Sequence, residues 1–244
     1  MSSDMIFSYL KAAGDLLLPR TCLTCNRKLL LDERHLCLHC LADMPLTRFW
    51  DMSRNPMADR FNALLLEEAD RYIHACALFY YDNDGKYRHL PYHIKYQGNI
   101  PAGHHFGRML GGRMASNALW GEVDCIIPVP LHWKRKWKRG YNQAEVIAEG
   151  ISTALGAPMN TQILKRRRST ATQTKLSIED KKRNVMGAFE VRCLPESFSF
   201  RHVLLVDDIF TTGSTLGACL TALRAVFPPS VRISVATLGF VGGG

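Results

Sequence analysis

No stretch of this 244-residue chain approaches eighteen uninterrupted apolar residues, so no segment reads as a membrane-spanning helix. The N-terminus, MSSDMIFSYLKAAGDLLLPR, lacks a basic start and carries Asp4 and Lys11 inside its apolar pattern. It reads as a short amphipathic helix and not as a signal peptide, which makes the cytoplasm the expected location. Internal repeats and low-complexity linkers are missing. So is any G-x-x-x-x-G-K-[ST] loop, which argues against nucleoside triphosphate hydrolysis. Acidic residues are scarce in one window. Between Leu131 and Arg183, four Asp or Glu stand against thirteen Lys or Arg, and this local excess equals the net charge of +9 of the whole chain. Such a concentration suggests a polyanionic partner (diphosphate, nucleotide or nucleic acid); the alternative is a solvated basic surface.

What is present fits a soluble globular protein with one medium α/β domain and a small module. The eight cysteines fall into two groups. Cys76, Cys125, Cys193 and Cys219 are scattered in apolar surroundings and read as inert core residues. Cys22, Cys25, Cys37 and Cys40 form C-x2-C-x11-C-x2-C. Without a secretory signal, disulfides are the weaker reading. Two C-x2-C hooks each aim a pair of thiolates at one ion, which suits tetrahedral structural Zn2+. Redox-active C-x-x-C pairs are the main rival, and His35 or His39 is a less favoured substitute ligand. No open coordination position is implied.

Residues 1–50 therefore read as a zinc module with its flanks, and residues 51–70 give no clear pattern. From Arg71 to the C-terminus, 71–244, β-rich and helical stretches alternate. "YIHACALFYY" reads as a strand and "DNDG" as a turn. Pro91 argues against one uninterrupted helix in "KYRHLPYHIKY". "PAGHHFGRMLGGRMASNAL" reads as a helix weakened by Gly111 and Gly112. "DCIIPV", "TQIL", "RHVLLVD" and "VRISVATLG" read as strands, with helices at "NQAEVIAEGISTAL" and "STLGACLTALRAV". Alternation of this kind predicts parallel β-α-β units, with a ligand beyond the carboxyl ends of the strands.

The most informative stretch is VLLVDDIFTTGSTL, residues 203–216. Asp207 and Asp208 end an aliphatic run, and Thr211, Thr212, Gly213, Ser214 and Thr215 follow as a helix opens. Free backbone N–H groups at a helix start favour a monophosphate, Gly213 permits close approach and the hydroxyls add donors. The two acids would accept hydrogen bonds from vicinal hydroxyls. A phosphate beside a diol describes a 5-phosphoribosyl group.

This stretch resembles the phosphoribosyl pyrophosphate (PRPP) motif of type I phosphoribosyltransferases. Together with the four-cysteine module, "IIPVPLHWKRKWKRGYNQAEVIAEGI" and "RSTATQTKLSIEDKKRNVMGAFEV", it resembles the competence protein ComF family over nearly the whole chain. The resemblance implies a parallel sheet with helices on both faces, PRPP bound with Mg2+, and a role in uptake or use of external DNA, including as a nutrient. It also implies DNA-uptake proteins as partners. The pyrophosphate loop would be Val129-Pro130-Leu131, acting through backbone amides, with Arg135, Lys138 and Arg139 supplying charge. A hood over residues 166–187 would carry Arg166, Arg167, Arg168, Lys175 and Lys181, with Arg166 and Lys175 the catalytic candidates for the departing diphosphate; the bland reading is a basic surface loop. The chemistry implied is dissociative displacement at C1 of the ribose. Purine-salvaging relatives carry Asp where this chain has Thr211, which cannot act as an acid or base near pH 7 and so argues against plain purine salvage; an active phosphoribosyltransferase salvaging nucleobases released from the DNA is one alternative. A non-catalytic, zinc-bearing adaptor for single-stranded DNA is another. Trp133 and Trp137, interleaved with Lys134, Lys136 and Lys138, would stack bases while the cations hold phosphates, or would pack their loop on the sheet. His93, His104 and His105 read as surface or capping residues.

Overall fold

The computed structural model describes residues 19–65, 72–167, 187–192 and 199–242. The expected N-terminal helix, Cys193, Arg168, Lys175 and Lys181 lie outside the described residues.

Four aliphatic runs form one parallel sheet: β1 (Ala75–Tyr80), β2 (Cys125–Pro128), β5 (His202–Phe210) and β6 (Arg232–Phe240), in the order β1-β6-β5-β2. Val203 to Val206 are fully buried, as the continuous apolar runs of a two-sided parallel sheet require. Both edges of the sheet are covered. Met159 bridges Ile126 in parallel beside β2, and Leu46 bridges Phe79 antiparallel beside β1. The expected strand at "TQIL" does not form as such. Residues 161–163 bend, and Leu164–Arg166 (β3) pairs instead with Phe189–Val191 (β4) as a separate antiparallel ribbon. The cause is local, since Asn160 Oδ1 accepts from the amides of Gln162 and Ile163 and turns the chain away.

The helices are α1 (Leu38–Ala42), α2 (Pro56–Leu64), α3 (His89–Tyr96), α4 (Ile100–Ala115), α5 (Trp133–Arg139), α6 (Gln143–Leu155) and α7 (Ser214–Arg224), of which α2, α4 and α6 pack on the sheet. The segment without a sequence assignment supplies α2. Asn55 caps it by accepting from Ala58 N, while its Nδ2 donates to Ala75 O of β1, and Pro56 opens the first turn. Pro91 sits in the first turn of α3, where its missing N–H breaks no helical bond.

The glycines of α4 do not break it. A Cβ on Gly107 would lie 2.3 Å from Ile147 O, and one on Gly150 would lie 2.4 Å from His104 O, so α4 and α6 touch backbone to backbone. Gly111 meets Ala154 and Ile151 in the same seam, and the helix runs unbroken to Ala115.

Candidate phosphoribosyl site and metal cluster

The four motif cysteines converge. Their sulfurs all lie within 4.8 Å of one another, and Cys25 Sγ is 3.7 Å from Cys37 Sγ. A tetrahedral ion with metal–sulfur bonds of about 2.3 Å needs sulfurs about 3.8 Å apart, whereas a disulfide needs about 2.05 Å, so the set fits one metal ion. Asn26, in the left-handed region at φ 59°, closes the first hook, and the second runs from Cys37 into α1. Burial pushes the Cys22 thiol up, but backbone N–H groups of Cys25, Cys37 and Thr24 outweigh it and bring it down to about 7. Neither histidine joins the set. His35 packs its ring 5.1 Å from that of His105, and burial pulls it down to about 4. The cluster shares the main core through Cys22, Cys37, Cys40 and Met44, and Tyr80 N donates to Pro45 O (2.8 Å) on the sheet edge.

At the carboxyl edge of the sheet, a cavity of about 600 Å³ gathers residues from separate parts of the chain. Asp207 and Asp208 come from the end of β5 and Thr215 from the first turn of α7. Leu131, Arg135, Lys138 and Arg139 come from the loop after β2 and from α5, and Arg166 from β3. Lys95 and Tyr96 of α3 also line it, and no sequence motif marks them; a lysine in a mostly ordinary helix offers no signal until packing places it.

Lys95 Nζ lies 2.9 Å from Asp208 Oδ2. Burial pulls the lysine down, yet Asp208 outweighs it and leaves it above its usual range. Burial first, and the Asp208 charge second, raise Asp207 to about 7, against the lowering effect of Asp208 N, Lys95 and Arg166. Burial and the nearby Arg135 press Arg166 below its usual value, and its guanidinium lies 5.2 Å from the Phe189 ring centroid. Cations crowded in this way favour an anion between them.

The helix start is built for close approach. Gly213 caps α7 at φ 78°, and a Cβ there would lie 2.8 Å from both Leu64 Cδ1 and Phe210 Cζ. The Thr212 and Ser214 hydroxyls are 2.8 Å apart, and Thr211 is exposed. The loop after β2 departs from expectation. Val129 N donates to Val206 O (2.8 Å) and Pro130 has no N–H, so of those three residues only Leu131 offers an amide. Asn142 pins the loop by donating to Val129 O while its Oδ1 caps α6. Trp133 and Trp137 do not pack on the sheet. They are 66% and 87% exposed on α5, no residue of which is buried. Of the neighbouring lysines, Lys134 lies over the Trp133 ring, Lys136 pairs with Glu145 at 3.0 Å and Lys138 faces the cavity.

A family model described as "Phosphoribosyl transferase domain" matches residues 142–238, from the start of α6 to near the end of β6. Competence protein F of Haemophilus influenzae is 40% identical over 110 residues, 45% of this chain and 48% of that protein. DNA utilization protein YhgH of Escherichia coli is 39% identical over 93 residues, 38% of this chain and 40% of that protein. Competence protein ComFC of Bacillus subtilis is 29% identical over 94 residues, 37% of this chain and 34% of that protein. The aligned stretches span less than half the length of these relatives. No helix among the described residues is long and apolar enough to cross a membrane. Residues 142–238 are thus similar to a phosphoribosyl transferase domain, and the chain is similar over part of its length to proteins named for competence and DNA utilization.

Proposed function

We propose that this chain binds PRPP with Mg2+ and serves the uptake or use of external DNA. One observation carries the reading: paired acids, a helix start and a group of cations meet in one cavity at the carboxyl edge of a parallel sheet. The 5-phosphate would rest on the first-turn amides of α7 and the hydroxyls of Thr211, Thr212, Ser214 and Thr215, with Gly213 allowing contact. The diol would rest on Asp207 and Asp208, in competition with Lys95. The diphosphate would lie near Val129-Pro130-Leu131, chiefly at the Leu131 amide, and against Arg135, Lys138 and Arg139. Arg166, with Lys175, would take the departing charge. A magnesium ion would neutralise diphosphate oxygens when bound, through carboxylates and ligand oxygens.

The four cysteines would hold one structural Zn2+, in a module of residues 1–50 that braces the edge of a transferase unit spanning 71–244. The link to external DNA, and to DNA-uptake proteins, is supported by the names of the relatives. Calorimetry with PRPP and Mg2+ tests the reading, and absence of binding defeats it. Pyrophosphate release that depends on an added base separates a transferase from a binding protein.

The exposed tryptophans favour a second, compatible role. A cationic helix that leaves two large aromatic rings in solvent suits single-stranded DNA, held without strong sequence preference by stacking and phosphate contacts. Anisotropy of a labelled oligonucleotide across a salt series tests it.

A further inference from the structure

The two acids at the carboxyl edge of the sheet do not stand alike. Asp207 Oδ1 accepts from the amide of Asp208 (2.9 Å), and the residue is half-buried. Asp208 is buried, and its Oδ2 meets Lys95 Nζ at 2.9 Å but accepts from no other group among the described residues. The lysine stands in the last turn of α3 and is held from behind. Leu90, Pro91 and Ile94 are the buried residues of that helix, and Tyr141 Oη donates to the Ile94 carbonyl. The chain then turns at Gly98, with φ 68°, and Asn99 opens α4 by accepting from Ala102 N. The backbone is thus anchored on both sides of Lys95, while a flexible four-carbon stem carries its ammonium to the cavity wall. The Lys95 and Asp208 side chains are 22% and 9% exposed, so the pair opens to the cavity on the lysine side.

We infer that Lys95 is a specificity-determining residue, whose ammonium bridges Asp208 and the diphosphate on C1 of a bound sugar phosphate and so selects PRPP over ribose 5-phosphate. The inference rests on the phosphoribosyl reading above and adds to that site a residue that no sequence motif marks. The diol ends at C2, the neighbour of C1. Acids that hold the diol therefore place the C1 oxygen beside the ammonium that already touches one of them. An ammonium has three donors and no acceptor, so it keeps Asp208 and adds an anionic oxygen without leaving its place. A neutral hydroxyl at C1 gains less, because hydrogen bonds between ionised partners are about twice as strong. Arg135, Lys138 and Arg139 enter the cavity from α5 and its approach, and Arg166 enters from β3. Lys95 is the cation that α3 brings, already set against a diol acid.

The test is calorimetry on the full chain with Mg2+, using PRPP and ribose 5-phosphate as probes. Lys95→Met should weaken PRPP binding about tenfold or more, as loss of a charged hydrogen bond does, and change ribose 5-phosphate affinity less than about threefold. That substitution leaves the buried Asp208 carboxylate unpaired, so it is repeated in an Asp208→Asn background, where the lone charge is gone. There Lys95→Met should again weaken PRPP about tenfold and leave ribose 5-phosphate within about threefold. Equal losses for the two compounds make Lys95 a structural partner of Asp208 and overturn the assignment. So does a Lys95→Met change without effect on PRPP in the Asp208→Asn background. Both of those results leave the phosphoribosyl reading standing, whereas wild-type protein that binds neither compound overturns that reading and the assignment with it.

Discussion

The cysteine cluster and the cavity at the carboxyl edge of the sheet are both assembled from motif residues, yet they are opposite kinds of candidate site. The cluster draws its four ligands from nineteen consecutive residues, Cys22 to Cys40, and buries three of them. Its chemistry is complete once two short hooks close. The cavity draws its lining from residues 95 to 215 and keeps its charges in tension, with acids against a lysine and arginines against one another. A closed set of four sulfurs suits a structural ion. An open cavity that brings acids and cations together suits a charged ligand.

The comparison is most easily broken at the cluster. Cys22→Ser or Cys37→Ser should abolish metal binding, seen as loss of about one Zn2+ per chain, and should lower the melting temperature of the whole protein. Structural zinc is worth about 10 kcal/mol or more to a small module, and here the cysteines share the main core. An unchanged melting curve, or a Cys22–Cys25 disulfide in fresh protein, would contradict this.

At the cavity the largest effect should be on binding. Asp207→Asn combined with Asp208→Asn should reduce PRPP affinity at least tenfold with the fold retained; equal affinity would reject the site. The single change Asp207→Asn has a pH signature. Asp207 is raised from the usual 3.8 to about 7, so the folded state holds a proton that the unfolded state releases in that interval. Stability from this group is complete below about 4 and is lost as pH rises through about 7. Asp207→Asn should therefore raise the melting temperature more at pH 8 than at pH 5, and a uniform shift would contradict the assignment.

Gly213→Ala should act on both counts at once. Positive φ and the contacts with Leu64 and Phe210 together should cost about 1–3 kcal/mol, read as a melting temperature lower by several degrees, with weaker phosphate binding. The smallest effect is expected on α5. If about three phosphates are engaged, the slope of log K against log salt for single-stranded DNA should be about −2. Replacing Lys134, Lys136 and Lys138 with Gln would flatten it, but Lys138 also faces the cavity. Trp133→Ala with Trp137→Ala is the cleaner test, since it should weaken oligonucleotide binding and leave PRPP binding unchanged.

Much of the scaffold is legible in the residue pattern. Asn142 ahead of an apolar period marks α6, and "DCIIPV", "RHVLLVD" and "VRISVATLG" mark β2, β5 and β6. These signals are local, because a side-chain cap and a buried strand each act over a few residues. The misreadings have a common origin. Gly111 resembles a helix breaker because its propensity is visible in sequence and the backbone of α6 pressing on it is not. The strand expected at "TQIL" has the right composition, but the turn made by Asn160 decides where the chain pairs. For Trp133 and Trp137 the sequence leaves two readings open, and the exposed position of α5 rules against packing on the sheet.

By itself, the order of residues marked the two cysteine hooks, the glycine turn that opens α7 and the strand segments, since each of these signals is carried by residues close in the chain. Tertiary structure alone decided that Lys95 meets Asp208, that Val129 spends its amide on the sheet, and that a groove lined by Tyr81, Tyr92 and Tyr96 opens beside Lys95. These follow from packing α3 and the loop after β2 across the sheet edge. Contacts between residues far apart in the chain are set by how whole elements stack, which local pattern does not encode.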